Sequence, residues 1–202
     1  MKKTLVGLLI SGVLCSFVFV NKATAQAYTS RNVYLNAGVS FLFDPYRPST
    51  FGYWSNYNYS FTPPVTASLE VGISDLFSVG GYASHRSYGW DYTTAAGKYK
   101  YTNRRMSFGG RFSFHYLALA NEILGIGMDE EKLDFYVTGI VGVNVHTRSD
   151  IEPDFRKTDT DLRPFFGPIL GFRYMFNNNF GAYLESGRGS LGYANIGLTL
   201  KL

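Results

Sequence analysis

Apolar and polar residues alternate at period two along most of the chain beyond its first thirty residues. Val33, Leu35, Ala37, Val39 and Phe41 share one parity; Tyr34, Asn36, Gly38 and Ser40 occupy the other. The pattern returns in Val65–Ser74, Phe77–Ser84, Met106–Tyr116, Phe135–His146, Arg163–Phe176, Phe180–Gly187 and Leu191–Leu202. Such alternation is a strand signal, and it predicts about eight strands. Short polar links at Ser74–Leu76, Asn177–Asn179 and Arg188–Ser190 predict antiparallel hairpins. Asp44–Pro64, His85–Arg104, Leu117–Asp134 and Thr147–Leu162 read as longer links, with helical spacing inside Leu119–Leu133. No 20–50-residue repeat underlies the pattern.

Periodicity alone leaves open which face is inside, and three features place the apolar one against lipid. The polar parity is mostly Gly, Ser, Thr and Asn, including Gly38, Gly72, Gly80, Gly109, Gly142, Gly171 and Gly197. A water-facing surface would carry more Lys and Glu, whereas small residues suit a crowded lumen. Phe77, Tyr116, Phe135, Phe176 and Phe180 fall at strand ends on one rim, as an interfacial girdle does. Long and short links also tend to alternate, as external loops and periplasmic turns do. The predicted architecture is all-β: a closed antiparallel up-and-down transmembrane β-barrel. A secreted soluble barrel is the alternative.

The first residues read as a leader. Met1-Lys2-Lys3 precedes an apolar run from Leu5 to Val20, and Ala23-Thr24-Ala25 and Ala25-Gln26-Ala27 fit cleavage after Ala25 or Ala27. Residues 1–27 are therefore assigned to a signal peptide and 28–202 to the barrel. Cys15, the only cysteine, leaves with the leader; Leu14 before it and the continuing apolar run argue against a lipid anchor. Removing Lys2, Lys3 and Lys22 takes the basic residues from 19 to 16 against 15 acids, so the formal charge falls from +4 to +1. The basic pI thus carries no case for nucleic acid. No later segment is apolar enough for a membrane helix, which needs roughly 20 such residues.

The leader, the glycine-alternating strands and the run from Gly167 to Asn195-Ile-Gly-Leu-Thr-Leu-Lys-Leu202 resemble the small outer-membrane β-barrels related to the OmpA transmembrane domain and OmpX. The resemblance covers essentially the whole mature chain. It implies an outer-membrane protein with both barrel termini in the periplasm, contacting lipid, lipopolysaccharide and the barrel-insertion machinery, and monomeric. That group usually ends in an aromatic residue, from which Leu202 departs. Pro168 is a second departure, because mid-strand it removes a ladder donor; a bulge near Gly167-Pro168 is the expectation. No wall-binding domain follows the barrel.

Candidate chemistry is sparse. Glu70, Arg111, Arg173 and Glu185 lie on the lumen parity, and unpaired charges there would cost several kcal/mol. Hairpin register places Arg173 opposite Tyr183 and diagonal to Glu185. These four read as a salt-bridge plug, or as a gate whose pairs switch partners to open a small pore. An eight-stranded interior is just wide enough to be filled by side chains. His85 and Ser87 form a His-x-Ser pair on the lipid parity, resembling the pair of barrels that deacylate lipid A; Asp91 is the nearest downstream acid. A loop histidine at the membrane surface is the plainer reading. His115 and His146 share the lumen parity near opposite rims and make no metal pair. Asp150, Glu152, Asp154, Asp159 and Asp161 suit a solvated loop or divalent cations bridging lipopolysaccharide. No cofactor is expected. Tyr53, Trp54, Tyr57 and Tyr59 in the first link, and Tyr88, Trp90 and Tyr92 in the second, suit either a recognition surface or packing on the outer rim. The ligand would be a surface molecule or a membrane-protein partner.

Overall fold

The computed structural model describes residues 27–41, 57–95, 97–153, 155–188 and 191–202. Eight antiparallel strands pair in sequence order, and the last closes on the first. They are β1 (Val33–Phe41), β2 (Tyr57–Gly72), β3 (Phe77–Thr94), β4 (Gly97–His115), β5 (Leu133–Glu152), β6 (Phe155–Met175), β7 (Phe180–Gly187) and β8 (Ala194–Lys201). A helix, α1 (Leu117–Leu124), joins β4 to β5 and ends at Gly125 in the left-handed conformation. It realises the helical spacing of that link, starting two residues earlier than the sequence suggests.

The barrel is inverted relative to a soluble protein. Val141 and Phe166, on the apolar parity, are 62% and 70% exposed, whereas Tyr136 and Arg173 on the other parity are 0% exposed. An apolar exterior around a polar interior is stable only against lipid, so this is a transmembrane barrel. On β5 the outward apolar run goes from Phe135 to Val145, about 33 Å along the strand and about 25 Å along the axis at ~40° of tilt. That height matches the lipid band of known barrels. Below it runs a belt of touching rings: Phe77–Phe114 (5.2 Å between centroids), Phe114–Tyr116 (6.4 Å), Tyr116–Phe135 (6.2 Å), Phe135–Phe172 (5.0 Å) and Phe176–Phe180 (5.8 Å). We call this the near rim; it also carries the described ends of the chain.

Two expectations need correction. The links His85–Arg104 and Thr147–Leu162 are strand, continuing β3 into β4 and β5 into β6 with unbroken register; the first link likewise becomes β2 from Tyr57. These segments lack a continuous apolar face because they rise above the lipid band, where polar and aromatic residues occupy both parities. The second correction concerns Pro168, which sits opposite Gly139 with no register shift. Its carbonyl accepts from the Arg188 N–H, just past the end of β7. The missing N–H therefore points to the side where the neighbouring strand has stopped, an edge that the staggered rim of a closed barrel still provides. The shift occurs elsewhere, between Thr62 and Val65, where Pro63 and Pro64 insert one extra residue into β2.

The wall is uneven in height. Strands β3 to β6 have 18, 19, 20 and 21 residues, while β7 and β8 have 8 each. Beyond the lipid band the tall strands stand as a half-wall. Its inner face forms a trough, with no strand opposite it among the described residues.

Candidate functional site

The lumen holds two zones. In the near half, the strands' inward positions bring three carboxylates and two arginines together. Glu70 of β2 accepts from Asn36 Nδ2 (2.9 Å), Ser78 Oγ (3.1 Å) and Ser113 Oγ (2.8 Å). Arg111 of β4 donates to Glu185 of β7 (2.7 Å) and reaches Glu70 (3.3 Å). Arg173 of β6 pairs with Asp134 of β5 (3.0 Å) and Glu70 (3.5 Å). Its guanidinium lies 4.4 Å from the Tyr34 ring centroid and 5.2 Å from that of Tyr136. Tyr136 donates its hydroxyl to Glu185 (3.1 Å). His115 completes the set, with Nδ1 2.9 Å from Asp134 and Nε2 3.0 Å from Ser78 Oγ.

This assembly can form because small residues face the large ones. Tyr136 is opposite Gly171, and a Cβ at Gly171 would overlap its ring; Tyr183 stands in the same relation to Gly197. The glycine-rich parity is thus the space into which tyrosines fold. At the near rim the chain closes its own mouth: Tyr28 stacks on His115 at 3.4 Å and donates to the carbonyls of Ser74 (2.8 Å) and Phe77 (2.5 Å). Burial pushes its phenol well above the ordinary tyrosine range.

All four predicted lumen charges meet here, with partners that differ from the expected ones. Arg173 is opposite Tyr183 as the register required, yet its carboxylates are Asp134 and Glu70, and Glu185 takes Arg111. Across-barrel contacts of this kind leave no mark in hairpin register. Asp134, the partner the sequence reading missed, closes the Leu117–Asp134 link. Continuing the β5 alternation back from Tyr136 would have placed it inward.

The far zone is the trough. Directly opposite residues form rows across β3 to β6: Arg86–Arg105–His146–Asp161, then Tyr88–Asn103–Arg148–Asp159, then Trp90–Tyr101–Asp150–Lys157. Tyr88, Trp90 and Tyr92 therefore sit in strands on the inner face, a correction to their placement in loops. Trp90 stacks on Tyr101 (4.1 Å), Tyr92 on Tyr99 (4.9 Å), and Tyr88 lies 6.5 Å from Trp90. The bulge turns Tyr59 and Phe61, paired with Trp90 and Tyr88, to this same face. Tyr53 and Trp54 lie outside the described residues, as does the side chain of Tyr57.

His85 and Ser87 face outward at the upper edge of the lipid band. Ser87 donates its hydroxyl to Thr62 Oγ1 (3.2 Å), and Asp91, on the same outward parity, pairs instead with Lys98 (3.2 Å). Neither arrangement makes an activated serine. His146 bonds to Asn103 (2.9 Å), at the opposite rim from His115. Among the described residues no group of three His, Cys, Asp or Glu is placed to hold a metal.

No protein-family model matches the chain, and no curated protein matches its sequence. Among solved structures it is similar to Ail, the attachment invasion locus protein of Yersinia pestis, in complex with the heparin analogue sucrose octasulfate. The identity is 9% and the TM-score 0.48, covering 86% of this chain and 96% of that one. It is also similar to the N-terminal β-barrel domain of Pseudomonas aeruginosa OprF (13% identity, TM-score 0.42, covering 87% and 100%). A third is the outer membrane protein OprG of Pseudomonas aeruginosa (12% identity, TM-score 0.44, covering 87% and 97%). At such identities a likeness concerns fold alone, and the inverted barrel stands on this chain's own residues: it is an eight-stranded up-and-down β-barrel with an apolar exterior and a polar lumen.

Proposed function

We propose that this protein is an outer-membrane barrel whose packed lumen stiffens the wall and whose tall far strands carry surface recognition. In this reading the near rim faces the periplasm, so both termini lie there, and the trough stands outside the cell. Lipopolysaccharide surrounds the band, the barrel-insertion machinery receives the chain, and the protein works as a monomer. The leader is removed after Ala25 or Ala27.

The observation that carries the reading is the division of labour along the axis. Every lumen charge in the near half has a partner, while the far half gathers Tyr88, Trp90, Tyr99 and Tyr101 on one face above the membrane. Rings of this kind give contact area at low entropic cost. The test is adhesion of cells displaying the protein to glycan-bearing surfaces. Trp90→Ala with Tyr101→Ala abolishes adhesion while the barrel still folds, shown by heat-modifiable gel migration. Adhesion unchanged in that double variant refutes the reading.

A gated conduit is the second reading, favoured by one feature: Arg111 already lies within ion-pair reach of both Glu185 and Glu70. Silence in planar bilayers supports the plug; discrete steps that change in Glu185→Gln support the gate. No enzymatic role is proposed, and His85→Ala with Ser87→Ala is expected to leave lipid A masses unchanged.

A further inference from the structure

The helix α1 repeats the inversion of the barrel. At about 100° per residue, Leu117, Ala118 and Asn121 share one side of it, and Leu119 and Ile123 fall opposite them, flanked by Ala120. The first side faces the protein. Leu117 is buried, and it lines the mouth cavity together with Ala118, Tyr28, His115 and Asp134. A helix on a protein surface in water turns its polar residues away from the protein, whereas this one turns apolar residues away. Ile123 is 68% exposed and Leu124 69%, as open as Phe166 in the lipid band.

The turn after the helix adds two more apolar side chains. Gly125 and Gly127 both take the left-handed conformation, and Ile126 and Met128, which follow them, are exposed. Asn121 holds this turn in place. Its Nδ2 donates to the Met128 carbonyl (2.8 Å) and to Glu130 (2.7 Å), and its Oδ1 accepts from the Met128 N–H (3.1 Å). Ile123, Leu124, Ile126 and Met128 are thus presented on a built support.

What covers them follows from where the helix starts. Tyr116, its N-cap residue, is a ring of the near-rim belt, touching Phe114 and Phe135. Eight residues of helix reach only about 12 Å from it, so the apolar side continues the surface that the belt presents to lipid. The segment from Leu117 to Lys132 carries four acids, Glu122, Asp129, Glu130 and Glu131, against the one base Lys132. Anionic headgroups therefore do not attract it, and apolar burial alone holds it.

We propose that α1 and the turn to Met128 form an in-plane membrane anchor. Leu119, Ile123, Leu124, Ile126 and Met128 lie among the acyl chains of phospholipid at the near rim, and Glu122 and Glu131 lie at the water boundary. Because α1 joins β4 to β5, the middle of the tall half-wall, the anchor sits at the foot of that wall. This contact is independent of the recognition reading.

The experiment is nitroxide labelling of the full mature chain in phosphatidylcholine liposomes. The mature chain lacks Cys15, so each introduced cysteine carries the only label. Both leaflets are phospholipid, so the result does not depend on which rim faces the periplasm. Collisions with oxygen, which concentrates in hydrocarbon, are compared with collisions with a water-soluble nickel chelate. Labels at Ile123→Cys and Ile126→Cys favour oxygen, as a label at Val141→Cys in the lipid band does, while one at Glu131→Cys favours nickel. All these positions are exposed, and heat-modifiable gel migration shows that each variant is folded. If the labels at 123 and 126 favour nickel as the one at 131 does, the proposal is overturned, and a protein partner is left as the occupant of this face. Ile123→Asp with Ile126→Asp moves a label at Leu124→Cys from the oxygen-rich to the nickel-rich reading, with the Val141→Cys label unchanged. A label at 124 that stays oxygen-rich overturns the assignment of these side chains as the anchor.

Discussion

Replacing Arg173 by Met tests whether the near-half network holds the barrel together. Arg173 is fully buried, 3.0 Å from Asp134 and 3.5 Å from Glu70. At an effective dielectric of about 20, unit charges at these separations attract by about 5.5 and about 4.7 kcal/mol. Desolvating the guanidinium offsets several kcal/mol of that, and the Tyr34 and Tyr136 faces return about 1–2 kcal/mol. Methionine fills most of the volume, so the loss is mainly electrostatic: Asp134 keeps only His115, and Glu70 keeps Arg111 and its three neutral donors. Breaking a buried pair in this way costs about 3–5 kcal/mol. With a urea slope of about 2 kcal/mol/M, the unfolding midpoint falls by about 2 M in a refolding assay on detergent-solubilised protein. Arg104→Met, on the exposed outward face, moves it by less than about 0.5 kcal/mol. Adding Glu70→Gln to Arg173→Met removes one stranded charge and recovers part of the loss, and the double-mutant cycle isolates the pair. If Arg173→Met is no worse than Arg104→Met, the lumen is wet enough to solvate the carboxylates and the plug reading is refuted.

Gly171→Ala pushes a methyl into the Tyr136 ring and costs about 1–3 kcal/mol by overpacking. Gly139→Ala, in the same sheet but with open space around the new methyl, shifts the same urea midpoint far less. Deleting Pro63 removes the extra residue of β2 and closes the bulge, so that Pro64 alone is opposite Arg86 and the outer pairs keep their partners. A cysteine at Tyr59 cross-links to one at Trp90 in the parent sequence, since the two are directly opposite. After the deletion the same cross-link persists, detected by gel shift under oxidising conditions. Its replacement by one to a cysteine at Gly89 would show that the bulge survives without Pro63 and that Pro63 is not the extra residue.

The closed barrel, its strand order and its inside were legible because lipid on one side and a crowded lumen on the other force strict alternation. Phe135 to Val145 cannot slip by one residue without turning every side chain to the wrong solvent. The four lumen charges were legible for the same reason, as polar residues at inward positions. Their pairing was not. Arg111 meets Glu185 across the barrel from β4 to β7, a contact fixed by the shear of the closed sheet and invisible to any local pattern. Asp134 escaped because it falls where an irregular link ends. Above the band the logic lapses: Arg86, Tyr88 and Trp90 alternate with Ser87, Gly89 and Asp91, but neither face is uniformly apolar and hydropathy no longer distinguishes strand from loop.

The proline pair in β2 marks where one regime gives way to the other. Below it, Thr66, Ser68 and Glu70 point inward and Val65, Ala67 and Leu69 outward, a choice that lipid enforces. Above it, the extra residue hands the inward face to Tyr59 and Phe61, so β2 contributes rings to a surface that unbroken alternation would have given Ser60 and Thr62. A bulge that re-aims side chains costs ladder hydrogen bonds and is retained where the new face is needed. Within the lipid band such a slip would expose polar side chains to hydrocarbon; just above it, the slip exchanges hydroxyls for aromatics at no cost in burial. The site most able to vary its chemistry is therefore the one where the membrane stops dictating parity. That is where the arginines and aromatic rings gather, and where sequence alternation stops being informative.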